Sequence, residues 1–170
     1  LVKKLVLAFC LIACIGTLTG CGYQVGSIKV GDTDKRKLHV PVFKNTTGKY
    51  GIEGQATAAV IDRLMVDGGY QIVGAKDADY ILEGDIIEYR REANTFNNQD
   101  VTNEFRITFI AKLQMRDAKT GEIIWRTSKA YGESNYVLGS SQQESERVAW
   151  PSAMQNFARD VSEKVTDGGW

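Results

Sequence analysis

Seven basic side chains fall on three consecutive extended segments: Arg90 and Arg91 on the first, Arg106, Lys112 and Arg116 on the second, Arg126 and Lys129 on the third. They are the residues of this chain best suited to chemistry, and that chemistry is anion binding. A guanidinium matches two phosphate oxygens at once, and neighbouring strands lie about 4.8 Å apart, so bases on one wet sheet face could form a phosphate-binding patch. The same residues also fit an ordinary solvated surface whose charges are met by scattered acids. Register decides between the two.

Catalytic sets are missing. His39 is the single histidine, which leaves no spare member for a histidine-based triad and no multi-histidine metal site. Asp77, Asp79, Glu83, Asp85 and Glu88 crowd one region, but acid and base roles need two carboxylates in a cleft with separated pKa values, and this spacing fits solvated positions. Gly48-Lys49-Tyr50-Gly51 and Lys119-Thr120-Gly121 lack the full glycine spacing of a phosphate loop. The chain is expected not to be an enzyme and to use no cofactor or metal. One further feature suits contact: the polar stretch Glu92 to Asn103, read as a long loop, carries Phe96 among Asn94, Asn97, Asn98, Gln99 and Asn103.

The elements that must position these residues are legible as periods. Leu38, Val40 and Val42 alternate as a strand, with Pro41 marking an edge or an end. Ile52, Ala56, Ala59, Val60 and Leu64 fall at helical spacing between Tyr50 and Asp67, and Gly68-Gly69 stops them. Tyr70 to Val73 and Tyr80 to Arg91 read as extended. Phe105, Ile107, Phe109, Ala111, Leu113 and Met115 alternate with polar residues, and Asp117 to Glu122 makes a hairpin turn, with Gly121 at positive φ, into Ile123 to Tyr131. Ser141 and Glu144 have capping-box spacing before a helix whose apolar face is Trp150, Met154, Phe157, Ala158, Val161 and Val165; Pro151 either kinks it or opens its first turn, and the role of Trp170 is unassigned. The expected fold is α+β: a two-layer sandwich, a mostly antiparallel or mixed sheet of four to five strands with two helices packed on one face.

At the N-terminus, Lys3 and Lys4 precede an apolar stretch from Leu5 to Ile15, and Leu18-Thr19-Gly20-Cys21 follows. The layout is that of a removable secretory signal, too short to span a membrane. It resembles the lipobox of bacterial lipoproteins, which implies removal of residues 1–20 and acyl chains on Cys21, the only covalent addition expected. Multiple acyl chains hold firmly where one holds marginally. Gly22 after the cysteine favours the outer membrane, at its periplasmic face. Residues 21–37 then form a tether reaching at most about 60 Å at about 3.5 Å per residue, and residues 38–170 a single domain. The whole chain balances 21 basic against 21 acidic residues, and loss of Lys3 and Lys4 leaves a net charge of −2. Such a balance gives no global field for nucleic acid.

Cys21-Gly22-Tyr23, Val40 to Thr47, Gly51-Ile52-Glu53, Gly69-Tyr70, Ala78 to Gly84, Asp117 to Trp125 and Ala149-Trp150-Pro151 together resemble the lipopolysaccharide-assembly lipoprotein family, LptE. The resemblance implies a lipoprotein seated as a plug inside a large outer-membrane β-barrel of the LptD type. There it helps to assemble the barrel and to insert lipopolysaccharide into the outer leaflet. It further implies lipopolysaccharide binding through basic residues of the sheet, for which Arg91, Arg106 and Lys112 are the candidates by strand position. The Val40 to Thr47 segment is also similar to lipoproteins that regulate a cell-wall synthase or join a secretion channel; the short tether favours the plug.

Overall fold

The computed structural model describes residues 35–96, 102–139 and 141–167. Cys21, the signal, most of the tether, the centre of the 92–103 stretch and Trp170 lie outside the described residues. The elements run β1 (Arg36–His39), β2 (Lys44–Asn45), α1 (Ile52–Asp67), β3 (Tyr70–Ile72), β4 (Tyr80–Phe96), β5 (Thr102–Asp117), β6 (Ile123–Val137) and α2 (Gln142–Asp167). They form a six-stranded mixed sheet in the order β3-β1-β4-β5-β6, with β2 also paired to β4. β1 lies parallel to β3 and β4, while β4, β5 and β6 are antiparallel. This is the expected α+β sandwich with more strands than expected. The addition is the two-residue β2, a run too short to show a period, while β3 falls where Tyr70 to Val73 reads as extended.

α1 forms because Ile52, Ala56, Val60 and Leu64 recur every fourth residue and are all buried. Gly68 ends it at φ 74°, its N–H donating to Leu64 O at 3.2 Å, a conformation only glycine reaches without strain. α2 begins well before Pro151, where Ser141 Oγ accepts the Glu144 N–H at 3.2 Å, so Pro151 lies inside the helix and not in its first turn. Both helices pack on the sheet face that carries Leu38, Leu82, Ile107, Phe109, Leu113 and Met115. At the centre, Phe157 meets Phe109 at 5.0 Å and Phe43 edge-on at 6.2 Å between ring centroids.

Two irregularities set which way side chains face. In β4, Leu82, Gly84 and Ile86 point to the helices, but the register shifts between Ile86 and Glu88, and beyond it the inward positions are Tyr89, Arg91 and Ala93, opposite Phe109, Ile107 and Phe105. β6 shifts likewise where Leu113 pairs Thr127 and Ala111 pairs Ala130. The supposed loop also needs correction. β4 continues to Phe96 and β5 resumes at Thr102, with Glu92 opposite Arg106 and Thr95 opposite Glu104, because polar residues suit a strand whose face is wet.

Candidate functional site

The sheet face turned away from the helices carries Arg90, Arg106, Lys112, Gln114 and Arg116 of the paired β4 and β5, and Arg126 of β6 opposite Gln114. Most of these groups are spoken for. Arg90 is bracketed on its own strand by Glu88 at 2.5 Å and Glu92 at 3.5 Å. Arg106 Nε donates to Asn135 Oδ1 at 3.1 Å. Arg116 pairs with Glu83, which also accepts from Gln114 Nε2 at 2.5 Å. Partial burial opposes the charge on Glu83, but those two donors and the nearby Arg116 and Lys44 charges outweigh it and hold its carboxyl below the usual range.

Lys112 and Arg126 differ: neither has an ion-pair partner among the described residues. Both are exposed, and with Lys44, Asp85 and the apolar wall of Pro41 and Val42 they line an open depression of about 720 Å³. Asp85 stands opposite Lys112 in the register, and its Oδ1 is buried without a hydrogen-bond partner among the described residues. The depression sets the cations of Lys44, Lys112 and Arg126 among the carboxylates of Glu83 and Asp85, an excess of positive charge that suits a phosphate or another multivalent anion.

The three candidates from strand position do not come together. Arg106 and Lys112 share the outer face but lie six residues apart on β5, about 20 Å at about 3.4 Å per residue. Arg91 lies on the other face. The bulge after Ile86 turns it toward α2, where its guanidinium stands over the Phe105 ring at 5.5 Å and its Nη1 is 4.0 Å from Glu146 Oε2.

Arg91 joins a second ionic cluster that periodicity does not reveal. Glu146, 5% exposed, takes Lys49 Nζ at 2.5 Å and the Tyr89 hydroxyl at 2.5 Å. Trp150 Nε1 donates to the Tyr89 oxygen at 3.3 Å, and the Lys49 ammonium stands 5.2 Å from the Tyr89 ring and 5.8 Å from that of Trp150. Burial works against the Glu146 charge, yet the Lys49 and Tyr89 hydrogen bonds and the Lys49 and Arg91 charges hold its carboxyl low, while burial and the Glu146 carboxylate push the Tyr89 hydroxyl up. The arrangement ties α2, the loop before α1 and β4 together. A carboxylate held ionised and a phenol held neutral form a lock and have no proton to exchange near neutral pH. The signal in sequence is faint: Glu146 sits in the charged run Gln142 to Arg147.

The model of the family described as LptE, lipopolysaccharide-assembly, matches residues 36–165. The chain belongs to the LptE family. Among solved structures, this LptE-family chain is similar to a protein of Xanthomonas campestris, 10% identical with a TM-score of 0.59 over 80% of this chain and 86% of that one. It is also similar to a minor lipoprotein of Acinetobacter baumannii, 16% identical with a TM-score of 0.50 over 80% of this chain and 94% of that one. These likenesses show a shared fold. No curated protein matches the chain. No helix among the described residues is long and apolar enough to cross a membrane.

Proposed function

We propose that this LptE-family chain is acylated on Cys21 at the periplasmic face of the outer membrane, fills the lumen of an LptD-type β-barrel, and offers its outer sheet face to lipopolysaccharide. The observation that carries the lipopolysaccharide part is the pair Lys112 and Arg126, neighbours on the outer face and without ion-pair partners among the described residues, while Arg90 and Arg116 are paired with carboxylates. Lipid A phosphates are dianionic acceptors of the kind such cations bind. Arg106 lies toward the far end of the same face, bonded to Asn135, and Arg91 braces Glu146; both stand outside the path. The lock at Glu146 keeps the body rigid, which suits a part that acts by occupying volume and needs no turnover.

Membership of the lipopolysaccharide-assembly family supports this reading. Its test is recovery of the tagged, acylated protein from detergent-solubilised outer membranes of its own cell, with mass spectrometry of what is retained. A large β-barrel near one-to-one is expected; a cell-wall synthase or secretion channel in its place would overturn the plug.

A further inference from the structure

We propose that Asn156 and Asp160 form a guard that closes the outer edge of β6 against strand pairing with a second copy of this chain. β6 ends the sheet, and an end strand presents unpaired N–H and C=O groups that template another strand. α2 lies along this edge and puts two side chains into its ladder. The Tyr131 N–H donates to Asp160 Oδ2 at 2.9 Å, and Asn156 Nδ2 donates to Glu133 O at 2.8 Å. One donor and one acceptor that an incoming strand would take are thereby filled. The guard residues are themselves held, Asp160 by Lys164 and Asn156 Oδ1 by Arg159 at 3.2 Å.

Gly132 sets the distance. A Cβ there would fall 2.3 Å from the Phe109 ring and 2.7 Å from Ala153 O, so only glycine lets the α2 backbone come close enough for two short side chains to reach the strand.

The edge beneath the guard is self-complementary. Tyr131 and Glu133 point their backbone groups outward, and by the two-residue period so do Asn135 and Val137. Two such edges running antiparallel about a twofold axis at Ser134 set Tyr131 opposite Val137 and Glu133 opposite Asn135. No like charges meet. Tyr131 and Val137, 42% and 68% exposed, would cover each other.

The test uses the mature acylated protein in detergent micelles, with light scattering for mass and hydrogen exchange for the Tyr131 amide. The wild type is expected to be monomeric at both about 1 μM and about 100 μM. Asn156→Ala/Asp160→Ala is expected to exchange the Tyr131 amide roughly tenfold faster at the lower concentration, the loss of one charge-assisted hydrogen bond, and to dimerise at the higher one. Adding Asn135→Glu should return it to monomer by placing carboxylates opposite each other. A guardless variant that stays monomeric, an unchanged Tyr131 amide, or a dimer indifferent to Asn135→Glu would each overturn the guard. If the double variant does not fold, Asn156→Ala alone should show smaller changes of the same sign, and no change would overturn it equally.

Discussion

Arg91 and Lys112 sit on neighbouring strands, carry the same charge, and end in opposite situations. Arg91 follows the β4 bulge, faces the helices, lies over Phe105 and helps to hold a buried carboxylate. Lys112 lies on the part of β5 that alternates unbroken from Phe105 to Met115, faces away and has no ion-pair partner among the described residues. The phase of a strand, and not its residue types, decides which bases remain for an external anion. One inserted residue moves every later side chain to the other face. On the proposed function the inner cluster is a stability device and the outer pair a binding device, and the two should respond to different perturbations.

The largest effect should come from breaking the inner cluster. Glu146→Ala is expected to cost about 2 kcal/mol in urea unfolding, less than the about 3–5 kcal/mol of a wholly buried pair because Lys49 and Arg91 are themselves over a third exposed. Lipopolysaccharide affinity of the folded variant should be unchanged; a loss would merge the two regions.

Acid should act next, in part through the same residue. Glu146 and Glu83 have lowered carboxyl pKa values. Their stabilisation is fully present above the unfolded value of about 4.3 and is lost as pH falls through the folded values. Stability should therefore fall as pH drops below about 5, and Glu146→Gln should flatten that slope; an unchanged slope would remove Glu146 from the account. Arg91→Gln is expected to cost about 1 kcal/mol, the scale of its contact with Phe105, by the same unfolding measurement.

The smallest effect is expected at Arg106→Glu. The site is partly exposed, so stability should change by less than about 0.5 kcal/mol. At about 20 Å from Lys112, beyond a Debye length of about 8 Å, its effect on lipopolysaccharide affinity should stay near twofold. A larger loss would extend the phosphate path along the whole strand.

Much of the frame is legible in the residues alone. The four-residue stripe from Ile52 to Leu64 with its glycine stop, the alternation from Phe105 to Met115, and the turn in which Asp117 Oδ1 accepts the Lys119 and Thr120 N–H groups beside Gly121 at φ 74° all report local periods, and local periods survive folding. What escapes is what depends on pairing. Bulges at Ile87 and in β6 leave no mark in composition, so Arg91 reads as outward when it is inward. β2 is too short to alternate, and its parallel partner β4 lies far along the chain. Glu146 looks like a solvated helical residue until Lys49 and Tyr89, distant in sequence, arrive beside it. The polar run after Glu92 suggests a loop, yet β4 continues through its first residues to Phe96.

The most direct test compares the outer pair with the inner arginine in one titration. Lipopolysaccharide binding to the purified acylated protein would be measured for wild type, Lys112→Glu/Arg126→Glu and Arg91→Gln. The outer double variant is expected to bind about tenfold more weakly, the loss of one to two charge-assisted contacts, with its melting temperature within a few degrees of wild type, while Arg91→Gln binds within about twofold. Binding lost in Arg91→Gln and kept in the outer variant would contradict the division of labour between the two faces.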